Sequence, residues 1–236
     1  MSDECSESGD PIHRYDEPAA GWVPPNLEDS SLKHIEKHIK THVGKIDTVY
    51  HELMSHHVHI DMHQVAPTAE RPYWTLITSG MSDLPMPAPK GSEAWRYAEL
   101  MICLPQDWPI TGDEAGQEDY AWATRWLKML ARFPHEYQAW MAWGHTMPNG
   151  DPPEPFCAGV DFAGIILLEP KTVSRDFWSL KVCDDKTIHF YSVVPIYEAE
   201  MNLKLKQGSD HLNELFEKHK VTELVDVDRP NLALGR

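Results

Sequence analysis

Much can be excluded from what this 236-residue sequence lacks. Cysteine is scarce. The four present, Cys5, Cys103, Cys157 and Cys183, include no C-x-x-C pair, so no zinc-ribbon or dithiol redox motif is readable. A disulfide framework is not expected in a chain of this size and composition. Three of the cysteines lie in apolar, strand-like runs, where a reduced thiol behaves as a small hydrophobe. Cations are outnumbered, 21 Lys and Arg against 37 Asp and Glu, for a net charge of −16. Phosphate binding needs basic surface, so a nucleic-acid partner is not expected. No apolar run approaches the ~18 residues a membrane-spanning helix needs. The opening "MSDECSESGD" is polar and acidic, unlike a signal peptide. A cytoplasmic protein without a membrane partner is expected. Absent too are G-x-S-x-G, H-E-x-x-H, the phosphate-loop lysine motif and G-x-G-x-x-G. Neither catalysis nor a cofactor is therefore expected.

The residues present describe one α+β domain. Apolar residues make up 42 %, enough for a sizeable core. The acidity is concentrated: residues 1–30 carry −7 and residues 107–119 carry −5, leaving −4 for the rest. The plain reading is solubility; a sharper one is steering toward a basic partner. Residues 1–29 read as an acidic, irregular segment and 30–236 as the folded domain. A helix is predicted from an N-cap at Asp29 or Ser30 to Gly44. Its apolar stripe is Leu32, Ile35, Ile39 and Val43, and His34, His38 and His42 lie on a separate face read as solvated. The period then shortens to two. "DTVYHEL", "HVHIDMHQVA", "YWTLITSGM" and "RYAELMICLP" read as strands. A helix from about Tyr120 to Phe133 is predicted to stop before Pro134, with a short helical piece "HEYQAWMAWG" after it. "TMPNGDPPEP" reads as a loop. "FAGIILLE", "FWSLKVCD" and "TIHFYSVVPI" are three further strands, the last two joined by a hairpin at "DDK". Helical segments follow from Tyr197, broken at Gly208 and Ser209, with Asp210 as a cap. "VDVDRPNLALGR" reads as irregular. Strands in two groups separated by helices indicate a mixed, largely antiparallel central β-sheet flanked by helices.

Two stretches carry candidate chemistry. In "HHVHIDMHQ" (56–64) a strand period puts Val58, Ile60 and Met62 on one face and His57, His59, Asp61 and His63 on the other. His59 and His63 stand about 13 Å apart along a strand at ~3.3 Å per residue. Ligands of one ion stand only about 3–4 Å apart. His59 and Asp61 could bend to one ion, but His59 and His63 could hardly share it. The expected arrangement is a polar stripe of His59, Asp61 and His63 with no metal, either buried with hydrogen-bond partners or offered to a peptide. The alternative is a metal-dependent hydrolase using these three residues. In "TSGMSDLPM" (78–86) Gly80 permits positive φ, Ser82 and Asp83 can fold the turn, and Pro85 stiffens its exit. Structurally it is a strand terminus. Functionally it is a rigid loop presenting Met81, Asp83 and Leu84 to a partner. Trp122, Trp126, Trp140 and Trp143 are expected mostly in the core.

Six motifs occur in order: "HIEKHI", "VYHEL", "VHIDMHQVAPTAERPYWTLITSGMSDLPM", "RYAELMICLPQDW", "VPIYEAEMNLKLKQGSDHLNELF" and "VDRPNL". Together they resemble the suppressor-of-fused domain in its bacterial, single-domain form, from about residue 30 to 232. The resemblance implies a non-catalytic protein-binding module. Animal members grip a short peptide, added as a strand, between this domain and a second one. The sequence ends after the first domain, which favours the bacterial reading. Bacterial members are associated with toxin systems, as immunity proteins that bind and neutralise a toxin. The Gly-x-Ser-Asp-Leu turn near the animal peptide site corresponds here to Gly80, Ser82, Asp83 and Leu84.

Overall fold

The computed structural model describes residues 4–15, 18, 31–51, 58–110 and 116–235. The predicted N-cap residues Asp29 and Ser30, His56 and His57, and the acidic stretch 111–115 lie outside them. Eight strands form one sheet: β1 (Ile46–Tyr50), β2 (Asp61–Val65), β3 (Tyr73–Ser79), β4 (Ala98–Pro105), β5 (Thr146–Pro148), β6 (Phe162–Leu168), β7 (Ser179–Cys183) and β8 (Lys186–Tyr197). The order is β1-β2-β3-β4-β8-β6-β5, with β7 hairpinned onto the start of β8. Every pairing is antiparallel except β4 with β8. That is the mixed, largely antiparallel sheet expected from the sequence.

Helices cover both faces. On one, α2 (Glu118–Glu136) buries Trp122, Ala123, Leu127, Leu130 and Ala131 against Leu76, Leu100, Ile102, Leu104 and Val193. On the other, α1 (Leu32–His42) buries Ile35 and Ile39 against Ile77, Met101, Cys103 and Phe190. Beside it, α3 (Glu198–Gln207) and α4 (Ser209–His219) cover Ile166, Val194 and Ile196 with Met201, Leu212 and Phe216. Alternation along β4 sends Leu100, Ile102 and Leu104 to α2, and Met101 and Cys103 to α1. Each fully buried side chain of this size contributes about 1.5–3 kcal/mol relative to exposure.

Several local expectations are corrected. The N-cap of α1 is Ser31. His38 is not on a solvated face: its Nε2 hydrogen-bonds the Phe177 carbonyl at 3.0 Å and its ring stacks on Phe177 and Phe190. Pro134 does not stop α2 but lies inside its last turn, where Tyr137 N–H still reaches the Phe133 carbonyl. No separate helix follows it, only a turn. Thr146–Pro148, read as loop, pairs with β6 as a three-residue edge strand; its Pro148 suits an edge, where a missing donor is tolerated. Asp210 lies within the first turn of α4, whose N-cap is Gly208 at φ +89°. Of the three thiols in apolar, strand-like runs, Cys103 is buried and Cys157 half-buried, whereas Cys183 is exposed.

The C-terminal stretch read as irregular is fastened by a buried ion pair. Arg229 donates two hydrogen bonds of 2.6 Å to the Glu200 carboxylate and one of 2.9 Å to the Pro195 carbonyl. Its guanidinium also lies over the rings of Phe162, Tyr197 and Phe216. Two of the sequence motifs, "VPIYEAEMN" and "VDRPNL", thus meet as one lock. The N-terminal residues 4–15 contact the domain: Ser8 N–H donates to the Leu205 carbonyl, Lys204 pairs with Asp10, and Arg14 reaches Asp151.

Candidate functional site

The two candidate stretches come together at the end of β2 and β3. Asp61 faces Ser79 in register, and β3 then leaves the sheet through Gly80. Gly80 has φ +106°, and a Cβ there would stand 1.9 Å from the His59 carbonyl oxygen. Only glycine lets the turn lie against the strand entry this closely. A short 3-10 turn, Met81–Asp83, follows.

Three contacts pin this turn. Glu99 of β4, fully buried, accepts Ser82 N–H at 2.9 Å and Ser82 Oγ–H at 2.6 Å on one oxygen, and Thr78 Oγ1–H at 2.6 Å on the other. Burial pushes the Glu99 carboxyl up to about 7, against the pull of those donors. The His135 ring nitrogen of α2 donates to the Met81 carbonyl at 2.8 Å. The Asp83 carboxylate accepts Ser31 N–H at 3.2 Å, joining the turn to the start of α1. Burial raises the Asp83 carboxyl, and that N–H partly offsets the rise.

These contacts divide the expected partner-binding residues. Met81 and Ser82 are fully buried, so they hold the turn and are not presented on the surface. Asp83 and Leu84 are half-buried and reachable. His63 is fully buried on the α1 side of the sheet, its Nε2 2.9 Å from Ser79 Oγ. Burial lowers its pKa first of all, which favours a neutral ring. The polar stripe is therefore not one open face: β2 is covered on both sides, and no residue of it is exposed.

His59 and Asp61 do meet, and the third residue beside them is His51, not His63. His51 Nδ1 hydrogen-bonds Asp61 Oδ2 at 2.9 Å, and His59 Nε2 lies 3.1 Å from Asp61 Oδ1. One ligand atom from each residue lies within 4.8 Å of the others. His51 directly follows β1, so β1–β2 pairing brings it to Asp61 across the sheet edge. Sequence reasoning passed over His51 because it sits ten residues from Asp61 in a segment of different pattern. Glu99 was missed too, although a lone acid inside the apolar run "AELMICLP" is a readable signal of a buried, bonded carboxylate.

Among the described residues β1 is the outermost strand on this side, and Asp47 and Thr48 are exposed. The half-exposed His59 belongs to the same corner, since its carbonyl packs on Gly80.

A family model described as suppressor of fused protein (SUFU) matches residues 56–230. No curated protein matches the sequence. Among solved structures, the fold is similar to that of a SUFU homologue from Neisseria gonorrhoeae FA 1090 (TM-score 0.60, 19 % identity, 87 % of this chain and 97 % of that one). It is similar to a chain of the Sufu–Fu complex (0.60, 13 %, 88 % and 94 %). It is also similar to Drosophila Suppressor of Fused (0.54, 12 %), where 87 % of this chain covers 48 % of the other, so this chain spans about half its length. At these identities the structural likeness shows a shared fold.

Proposed function

The chain belongs to the suppressor of fused family, and from that premise we propose that it acts as a protein-binding module without catalysis. In this reading it is an immunity or regulatory protein of the cytoplasm, which captures a partner such as a basic toxin and neutralises it. The observation that carries the proposal is the family match over residues 56–230, which spans β2, the Gly80 turn and the Arg229 lock. One structural relative was solved in a Sufu–Fu complex.

The chemistry of the site supports binding. β1 leaves an open strand edge among the described residues, suited to a peptide added as a further strand. His59 lies on the Asp61 carboxylate that His51, at the end of β1, also reaches, and Asp83 and Leu84 follow in a turn that three elements fix from behind. A rigid site loses little freedom on binding, which favours affinity. The net charge of −16 suits a basic partner and speeds its encounter. Partner binding is assigned to His59, Asp83 and Leu84 at the surface, with Gly80, Met81, Ser82, Asp61 and His63 as the scaffold that shapes it. Affinity capture from the native host with the full chain as bait, followed by mass spectrometry, tests the proposal. A basic protein retained in stoichiometric amount is expected. Recovery of no protein partner, including any encoded beside this chain, would count against it.

A further inference from the structure

The corner formed by His51, His59 and Asp61 has a property that partner binding does not require. Asp61 is only 6 % exposed, yet its Oδ1 has no hydrogen-bond partner among the described residues. The nearest candidate, His59 Nε2, stands 3.1 Å away, but that contact is not aligned as a hydrogen bond. An orphaned buried carboxylate oxygen is costly to leave unsatisfied. The partly exposed His51 supplies another nitrogen from the rim, 2.9 Å from Oδ2.

We propose that His51 Nδ1, His59 Nε2 and the Asp61 carboxylate form a binding site for a zinc-like divalent transition metal. Its remaining coordination position opens to the surface. Two imidazoles and one carboxylate are borderline and hard donors of the kind zinc accepts. Zinc bonds of about 2.0–2.2 Å in tetrahedral geometry place donor atoms roughly 3.3 Å apart. The donors here stand 2.9 and 3.1 Å from the two oxygens of Asp61, and one ligand atom from each residue lies within 4.8 Å of the others, a spacing one ion could draw together. On entry the proton between His51 Nδ1 and Asp61 moves to the ring's other nitrogen, and the lone pair on Nδ1 turns to the metal. Three protein donors with an open position make an incomplete site, which water or an outside ligand would finish. His63 takes no part, because Ser79 already engages its Nε2. The competing description is a plain hydrogen-bonded cluster, in which the two imidazoles only solvate the carboxylate. That description leaves Oδ1 without a partner.

The test uses the full chain, stripped with chelator and titrated separately with zinc chloride and cobalt(II) chloride at neutral pH. Calorimetry and metal analysis report stoichiometry; visible absorption of the cobalt form reports coordination. One equivalent is expected, with the intense bands of low-coordinate cobalt. Asp61→Asn, which keeps size and polarity, and His51→Ala should each reduce uptake to less than about one-tenth of an equivalent or weaken it at least about tenfold. His51 is exposed, so its removal leaves the core intact and the proposal remains falsifiable if the Asp61 variant fails to fold. His34→Ala, on the exposed side of α1, should bind as the parent does and controls for adventitious histidine binding. Uptake below about one-tenth of an equivalent by the parent chain would overturn the proposal, as would undiminished uptake by His51→Ala.

Discussion

Glu99 gives the sharpest quantitative handle on the turn that shapes the site. Its carboxyl is fully buried and pushed from the ordinary 4.5 to about 7 in the folded protein. In the unfolded chain it returns to the ordinary value. Below about pH 4.5 the group is protonated in both states, and folding carries no penalty from it. As the pH rises toward 7 the unfolded chain releases the proton while the folded protein keeps it, so stability falls. At about 1.4 kcal/mol per pH unit the loss reaches roughly 3 kcal/mol, and it is complete once the pH has passed through the folded value. The neutral form also fits the geometry. A protonated Oε2 can donate to Thr78 Oγ1, which turns its own proton to the Leu100 carbonyl 3.4 Å away. Glu99→Gln mimics that form, donating to Thr78 and accepting from Ser82. Buried histidines such as His63, lowered by burial, shift parent stability the opposite way over the same range, so the difference between the two proteins is the informative quantity. Urea unfolding of both at pH 5 and pH 8 is the assay. Relative to the parent, the variant should gain about 2.5 kcal/mol between those pH values, since a little of the loss has already occurred at pH 5. A difference independent of pH would refute the reasoning, because it would mean that Glu99 ionises in the folded protein as easily as in the unfolded chain.

Two further outcomes follow from the scaffold. Gly80→Ala combines a positive φ with a Cβ 1.9 Å from a backbone oxygen, so it should destabilise by at least about 2 kcal/mol, read as a lowered thermal midpoint. An unchanged midpoint would show that the turn relaxes freely. Arg229→Met leaves the Glu200 carboxylate buried without its cation and should cost about 3–5 kcal/mol in denaturant unfolding. The double variant with Glu200→Met should recover much of that loss; if it does not, the pair stabilises more than its desolvation allows.

The strands were legible because alternation and β-branched residues mark them locally. The edge of the sheet and its parallel pair, β4 with β8, were not, since pairing between distant segments leaves no local trace. His38 was misread because position on a helix wheel does not say how much of the helix is covered; α1 lies deep enough against Phe177 and Phe190 to bury a second face. Pro134 was misread because a proline in a last turn forfeits only one backbone hydrogen bond, which packing against the sheet can offset. At the site, period two correctly separated Met62 from Asp61 and His63. It could not show that β2 is a strand buried along its whole length. Spacing along one strand counted against His59 with His63 at a shared ion, but it was blind to His51 arriving from β1.

The protein-binding surface proposed here is formed by His59, Asp83 and Leu84. Parallel affinity capture from native-host lysate, with the parent chain and with a His59→Glu, Leu84→Glu variant of equal thermal midpoint, tests it most directly. One basic protein should be retained by the parent, and at least about tenfold less of it by the variant. Equal retention by both baits would contradict it.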